Sequence, residues 1–334
     1  MGDLKLCVIR GDGVGGEVIP AAVRVLKRVL PGLNTIDADA GWNCFTRTGS
    51  ALPDETVNRI TECGAALFGA TSSPSKKVAG YSSPIIGMRK RFDLYANLRP
   101  VLSLPSRNTT IQDAFVNLLL VRENTQGLYA QREYMRGDEA IAERVITAAA
   151  SARVGKIALQ LAQSRQKILT IVHKANILPL TDGTFRDAIR VEASNFPAVE
   201  IRELLVDTAA LQIATKPQSF DVIVTTNLFG DILSDLASMH CGGMGVAPSL
   251  NIGASVAIAE PVHGSAPDIA GRGIANPCGA ILSTALLCRH HWNLHDAADL
   301  IERASFAALA SIRTVDLGGA ASTEQMTEAV LAHC

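Results

Sequence analysis

At 334 residues the chain is long enough for two lobes around a sizeable core, and 48% hydrophobic with 19% charged residues is the balance of a globular protein, not of a disordered or coiled-coil one. Lysine plus arginine (31) match aspartate plus glutamate (32) and aromatics are only 4%, so the composition offers nothing to draw the chain to nucleic acid or an acidic membrane. The seven cysteines form no CxxC pair, no apolar run reaches the roughly 18 residues of a membrane span, and strand-like KLCVI follows close on Met1. Reduced thiols packed as small hydrophobes, no targeting segment and a cytoplasmic location are therefore expected.

In chain order, short apolar runs alternate with longer amphipathic stretches. KLCVI precedes a helix from about Glu17 to Val29; GAALFGA and FVNLLLV follow as strands, then a helix around 140–163. KILTIVH, a helix after Leu180, VEIRELLV and FDVIVTT continue the pattern, and the last sixty residues return to helical periodicity. This alternation predicts an α/β protein with much parallel sheet. Glycine and proline cluster at 71–84, 242–253 and 261–279, where functional loops are expected.

The turn Gly11-Asp12-Gly13-Val14-Gly15-Gly16 satisfies G-x-G-x-x-G between a strand and a helix, with Asp37 and Asp39 at the distance of a ribose-binding acid. A tight structural turn selects the same glycines. Further on, Asp231 and Asp235 stand at i and i+4 of one helix, so their carboxylates share a face, and Asp207 ends a strand-like run. Such oxygen donors suit Mg²⁺ or Mn²⁺, although an isolated pair also reads as a solvated helix face. Arg89, Arg99 and Arg122 offer planar forks for carboxylates. Arg99 and Arg122 lie at the edges of apolar runs, where an unpaired charge is costly, so both need partners. Lys174, emerging after ILTIVH, and Tyr129, after Gly-Leu, are candidates for proton transfer. A tyrosine in that position also serves as a packed aromatic.

The stretches GDGVGGEVIP, LYANLRP, VRENTQGLY, HKANILPLT, TTNLFGDILSDLA and EPVHGSAPDIAGRGIANP, in this order along essentially the whole chain, resemble the β-decarboxylating dehydrogenases: the isocitrate, isopropylmalate and homoisocitrate dehydrogenase family. The resemblance implies a two-domain α/β fold with a large mixed sheet, not a true Rossmann fold. It implies a large cofactor-binding domain from residues 1–99 and 251–334, and a small domain of residues 100–250 for dimerisation, metal and substrate. It further implies a homodimer with shared active sites and no nucleic-acid or membrane partner. The glycine turn then resembles the family's adenosine-side loop, and Asp37 loses its ribose role.

The same resemblance assigns NAD to His263, Gly264, Ser265, Ala266, Asp268, Ile269 and Asn276. The carboxylate of Asp268 would accept from the ribose hydroxyls and repel a 2′-phosphate. It assigns Mg²⁺ or Mn²⁺ to Asp231, Asp235 and the partner subunit's Asp207, and the malate core of a hydroxy-acid substrate to Arg89, Arg99, Arg122 and Asn176. The partner subunit's Lys174 would take the hydroxyl proton, and Tyr129 would assist reprotonation at C3. Substrate choice would lie in Tyr81-Ser82-Ser83-Pro84-Ile85-Ile86-Gly87-Met88, where Ser82 and Ser83 are the candidates for the distal group. Isopropylmalate enzymes show a glutamate and a leucine pair there, and some relatives an arginine at the position of Ile86. SSPSKKVAGYSSPI followed by LYANLRP is most similar to homoisocitrate dehydrogenases, implying conversion of homoisocitrate to 2-oxoadipate on the aminoadipate route to lysine. Isocitrate and 3-isopropylmalate are the alternative substrates, and a regulatory subunit without catalysis the remote one. Gln126 stands where many relatives carry glutamate.

Overall fold

The computed structural model describes residues 4–76, 78–104 and 115–334. They divide into two units, one holding the chain up to Leu94, Leu104 and everything from Cys241, the other Tyr95–Ser103 and the chain on to His240. The divisions at 94/95 and 240/241 come five and ten residues ahead of those expected at 99/100 and 250/251, which puts Arg99 in the second unit and the glycine-rich 242–245 stretch in the first.

The first unit begins with β1 (Lys5–Ile9), α1 (Gly15–Val29), β2 (Asn34–Ala38), α2 (Trp42–Thr48), α3 (Asp54–Cys63), β3 (Ala65–Phe68) and α4 (Pro84–Arg91). β1 is flanked by β2 and β3, both parallel to it. α1 is amphipathic, burying Val18, Ile19, Ala22, Val25 and Leu26. Pro84 opens α4 at a position whose N–H has no helical partner to lose. Beneath them Cys7, Ile9, Ile60, Phe68, Met88 and Leu94 form one apolar cluster with Val256 and Ile258.

The second unit contains β4 (Ala96–Leu102), β5 (Asn117–Glu123), β6 (Gly127–Arg136), β7 (Glu139–Val145), α5 (Ala148–Gln163), β8 (Ile168–His173), α6 (Thr181–Ala193), β9 (Glu200–Leu205), α7 (Val206–Thr215), β10 (Val222–Thr225) and α8 (Asn227–Ser238). Its main strands run in the order β4-β5-β10-β8-β9, with β4 antiparallel and the rest parallel. The Val, Ile and Leu side chains of β5 and β10 are buried, as expected of inner strands covered on both faces, while those of the edge strand β9 are only partly so. β6 and β7 pair separately as an antiparallel ribbon. This corrects the helix expected around 140–163: residues 139–145 are strand, and the helix starts only at Ala148. The physical reason lies at both ends of β7. Gly137 (φ +66°) turns the chain back on itself, and Thr147 caps α5 by accepting from Ala150 N–H at 3.3 Å.

The first unit resumes with β11 (Pro248–Ile252), β12 (Ala257–Pro261), α9 (Cys278–His290), α10 (His295–Ser311) and α11 (Thr323–Ala332). β12 lies parallel to β3 and antiparallel to β11, giving the order β2-β1-β3-β12-β11. α9 is buried on every side from Cys278 to Cys288, between α1, α10 and the strands β11 and β12. All seven cysteines are unpaired thiols, and burial pushes Cys7 and Cys288 up to about 12, so both are inert. Among the described residues no helix is long and apolar enough to cross a membrane.

Candidate active site

In the second unit, β4, β5, β6 and α8 bring five of the expected side chains together. Arg122, at the end of β5, is 1% exposed and forms an ion pair with Asp231, while its Nε and Nη2 donate to Asn227 Oδ1 at 3.0 and 2.8 Å. Arg99 on β4 donates from Nε to Asn97 Oδ1 (2.8 Å) and from Nη1 to Ser234 Oγ (2.7 Å) and Asp235 Oδ1 (3.2 Å). Both arginines thus have the partners that burial demands. Asn97, Asn227 and Ser234 escaped the sequence reading, although buried amides inside LYANLRP and TTNLFG were a usable signal. Gly230 was missed as well: a Cβ there would stand 2.6 Å from Arg122 Cγ, so only glycine lets the guanidinium stem lie against α8.

Tyr129 on β6 donates to Asp231 Oδ2 at 2.5 Å, with the Arg122 guanidinium 5.1 Å from its ring centre. Burial, then the Asp231 carboxylate, push the phenol above its ordinary range, so it keeps its proton. Burial likewise raises Asp235, against the pull of Arg99. The charges of two guanidiniums and two carboxylates cancel across this cluster. Gln126 closes the base of the ribbon, donating from Nε2 to Thr147 Oγ1 (3.0 Å) and accepting from Thr147 N–H (2.9 Å). A glutamate could only accept, so glutamine has a structural use here.

Lys174 follows directly on β8, and its Nζ donates to Asp207 Oδ1 at 2.5 Å; Asp207 is the second residue of α7. That ammonium holds the exposed Asp207 carboxyl below its usual range. Asn176 lies exposed in the turn closed by Ile177 and Leu178 N–H donating to Lys174 O, both at 2.9 Å. Among the described residues no three carboxylate, histidine or thiol groups of this single chain converge on one point, so Asp207 is not gathered with Asp231 and Asp235.

In the first unit, Arg89 sits in the last turn of α4, buried, with Nη2 donating to Glu260 Oε1 at 3.2 Å and Nε without a hydrogen-bond partner among the described residues. Ahead of it Tyr81 donates to Ser72 O (2.9 Å) and stands edge-on to Trp42 and Phe45. Ser72 N–H in turn donates to the buried Asp12, which also accepts from Trp42 and Asn43 N–H. The segment carrying Ser82 (exposed) and Ser83 (partly buried) is therefore anchored at both ends; of SSPSKKVAGYSSPI only Lys77 lies outside the described residues. Ile85 packs on the apolar cluster, leaving Ile86 partly exposed.

The loop from His263 to Asn276, between β12 and α9, is stitched to the glycine turn. Ser265 O accepts Val14 N–H (2.9 Å), Ser265 and Ser72 hydroxyls lie 2.9 Å apart, and Gly271 N–H donates to Glu17 at 2.6 Å. A Cβ on Gly13 (φ +56°) would come 2.0 Å from Ser265 O, so the fingerprint glycine serves this contact. Ala266 holds φ +40°, a strained value for a non-glycine residue and a mark of functional loops. Burial pushes His263 below its ordinary range, and its buried Nε2 has no partner among the described residues. Asp268 is exposed and Ile269 partly so. The Asn276 side chain is engaged within the loop: Oδ1 accepts Cys278 N–H (3.0 Å) and Nδ2 donates to Asp316 (3.2 Å). Asp37 is exposed and Asp39 is paired with Arg47.

This chain belongs to the isocitrate/isopropylmalate dehydrogenase family, whose profile matches residues 5–330. It is 50% identical to the isocitrate/homoisocitrate dehydrogenase of Thermus thermophilus over 329 residues, 98% of this chain and 97% of that one. It is 46% identical to the 3-isopropylmalate dehydrogenase of Methanothermobacter thermautotrophicus over 336 residues, 100% and 99% of the two chains. Among solved structures, the isocitrate dehydrogenase of Methylococcus capsulatus matches with a TM-score of 0.93 at 39% identity, covering 98% of each chain. The α/β fold expected from the resemblance is thus the one found, and the protein is a decarboxylating dehydrogenase. The relatives' names divide over the substrate.

Proposed function

We propose that this enzyme uses NAD and Mg²⁺ or Mn²⁺ to oxidise and decarboxylate a 2-hydroxy acid of the malate type, homoisocitrate being the best-supported substrate, with 2-oxoadipate as product. The observation that carries the reading is the neutral cluster of Arg99, Arg122, Asp231 and Asp235 with the protonated Tyr129 at its edge. Two carboxylates on one helix face fit a divalent ion that completes its shell with water and substrate. A dication there would leave the cluster with two positive charges in excess, matched to the two carboxylates of a malate core. The orphaned Nε of Arg89 fits a third polar contact, and the orphaned Nε2 of His263, in the strained loop, fits a cofactor.

Bound NAD supplies the hydride acceptor, and the divalent ion supplies Lewis-acid stabilisation of negative charge on the substrate oxygen. The protein's own groups do the rest. Arg99 and Arg122 grip the malate carboxylates in fixed orientation, their forks pre-set by Asn97 and Asn227. The partner subunit's Lys174 takes the hydroxyl proton as hydride leaves C2. When carbon dioxide leaves C3, its bonding electrons remain on the product, and Tyr129 returns a proton to that carbon. The partner subunit's Asp207 joins Asp231 and Asp235. Support for a homodimer with shared sites comes from the separation of Asp207 and Lys174 from Asp231 and Asp235 within one chain, and from exposed Leu211 and Ile232 on the adjoining helices α7 and α8.

Homoisocitrate is favoured over 3-isopropylmalate by the relative named for isocitrate and homoisocitrate, and by the serines, not a glutamate, ahead of α4. The test is NAD reduction with homoisocitrate, isocitrate and 3-isopropylmalate side by side, with and without Mg²⁺. The highest kcat/KM is expected for homoisocitrate, and none of the three should turn over after chelation. A preference for isocitrate or 3-isopropylmalate would overturn the substrate, and full activity in chelator would overturn the metal.

A further inference from the structure

An ion pair that no step above uses, with Asp182 fully buried and Arg144 partly so, lies behind Lys174. Asp182, in the first turn of α6, is 0% exposed; its Oδ2 accepts the backbone N–H of Lys174 at 2.6 Å, and its Oδ1 pairs with Arg144 near the end of β7. Arg144 reaches on to α8: Nη2 donates to Thr226 Oγ1 at 2.9 Å, and the guanidinium covers the Phe229 ring at 4.9 Å. Thr226 is the residue before α8, and its carbonyl accepts Gly230 N–H at 2.8 Å, closing the first turn of the helix that carries Asp231 and Asp235. One carboxylate and one guanidinium thus tie the strand end bearing Lys174 to the start of α8.

Keeping such a pair in the interior is poor economy for stability alone, since well-packed apolar replacements of buried ion pairs are often neutral or stabilising. What an apolar pair cannot reproduce is the two hydrogen bonds at its ends, Lys174 N–H to Asp182 and Arg144 to Thr226, joined by the charge attraction between them. We propose that Asp182 and Arg144 are positioning residues for the reaction: Asp182 sets the backbone from which the Lys174 amine projects, and Arg144 locks that setting to the first turn of α8. The inference rests on the reading of Lys174 as the group that takes the hydroxyl proton. Asp182 is fully buried and Arg144 is engaged with Asp182, Thr226 and Phe229, so both act through others. A fork is needed at Arg144, because a lysine's compact ammonium cannot serve Asp182 and Thr226 together.

The test uses the full-length enzyme with homoisocitrate protonated or deuterated at C2, or isocitrate if that acid turns over faster. R144M/D182L replaces both charges together, so no lone charge is left buried. Its expected behaviour is a wild-type melting temperature and KM for the acid and for Mg²⁺, with kcat lowered about 10- to 100-fold by misplacement of the lysine. The deuterium isotope effect on kcat should rise, because hydride transfer becomes the slower step. Arg144→Lys, which keeps the charge and loses the fork, should fold and show the same changes several-fold weaker. Wild-type kcat and isotope effect in either folded variant would overturn the proposal, as would a kcat reduced only in proportion to the folded fraction with an unchanged isotope effect. Lys174→Met serves as the control: if it still reduces NAD at the wild-type rate, the reading of Lys174 fails, independently of what Arg144 and Asp182 do.

Discussion

In the proposed reaction Tyr129 and Lys174 handle different protons, and their surroundings distinguish them. The phenol is held protonated by burial and by Asp231, which suits a donor late in the reaction; the Lys174 side chain is partly exposed and pairs with Asp207. Lys174→Met should therefore abolish NADH formation itself. Tyr129→Phe should still oxidise substrate but slow the proton delivered to C3, each loss lying on the order of 10²–10⁴-fold. Single-turnover NADH absorbance beside product proton incorporation separates the two steps; equal loss of both in Tyr129→Phe would remove the tyrosine from its late role. In the loop proposed to hold NAD, the exposed Asp268 carboxylate would face a 2′-phosphate. The unmodified enzyme should prefer NAD, and Asp268→Lys with Ile269→Tyr should shift the ratio of kcat/KM toward NADP. Equal use of both cofactors by the unmodified enzyme would count against Asp268 as the discriminator.

At the scale of elements, α8 works as a template because one face carries Asp231 and Asp235 while its glycine admits Arg122. Gly230→Ala places a methyl where the arginine stem now lies, 2.6 Å from Cγ by the ideal geometry, so the stem must move. Misplacing a carboxylate-binding group by about 1 Å costs on the order of 10²-fold. The expected result is a loss of that order in kcat/KM for the hydroxy acid, with KM for NAD unchanged; retention of wild-type kcat/KM would show that Arg122 does not orient the substrate. The β6–β7 ribbon illustrates the opposite case, an element whose use was not legible. Its residues alternate in a way that helical periodicity mimics over a few positions, and only the turn at Gly137 and the cap at Thr147 decide for strand.

For the whole molecule, the shared-site reading makes a complementation experiment decisive. Mixed Tyr129→Phe and Lys174→Met chains should regain activity, because one of the two sites in each heterodimer would receive an intact Tyr129 and an intact Lys174. No recovery despite demonstrated subunit exchange would place Lys174 in its own chain's site. Global stability should also carry a histidine signature. His290, at the end of the buried helix α9, is lowered from its ordinary 6.5 to about 4 by burial and then by Arg289 and His295. The unfolded chain therefore binds a proton there that the folded chain refuses. Stability is fully present above pH 6.5 and is lost as pH falls toward about 4, by at most about 3 kcal/mol. Denaturant midpoints across this window should fall more steeply for the unmodified protein than for His290→Asn; identical slopes would show that another group dominates.

Much of this was settled by local chemistry written in the chain. Alternating apolar runs specified the α/β class, the i,i+4 spacing put Asp231 and Asp235 on one face, and the edges of apolar runs required partners for Arg99 and Arg122. Each of these depends only on the period of a helix or strand and on the cost of burying a charge, which neighbouring residues reveal. The partners themselves were not so determined. That Asn227 holds Arg122, that the fingerprint glycine Gly13 serves Ser265, and that Asp182 and Arg144 stand behind Lys174 all join residues distant along the chain. Such contacts have no period and no local propensity; they exist only once strands and helices have packed, and tertiary structure alone decided them.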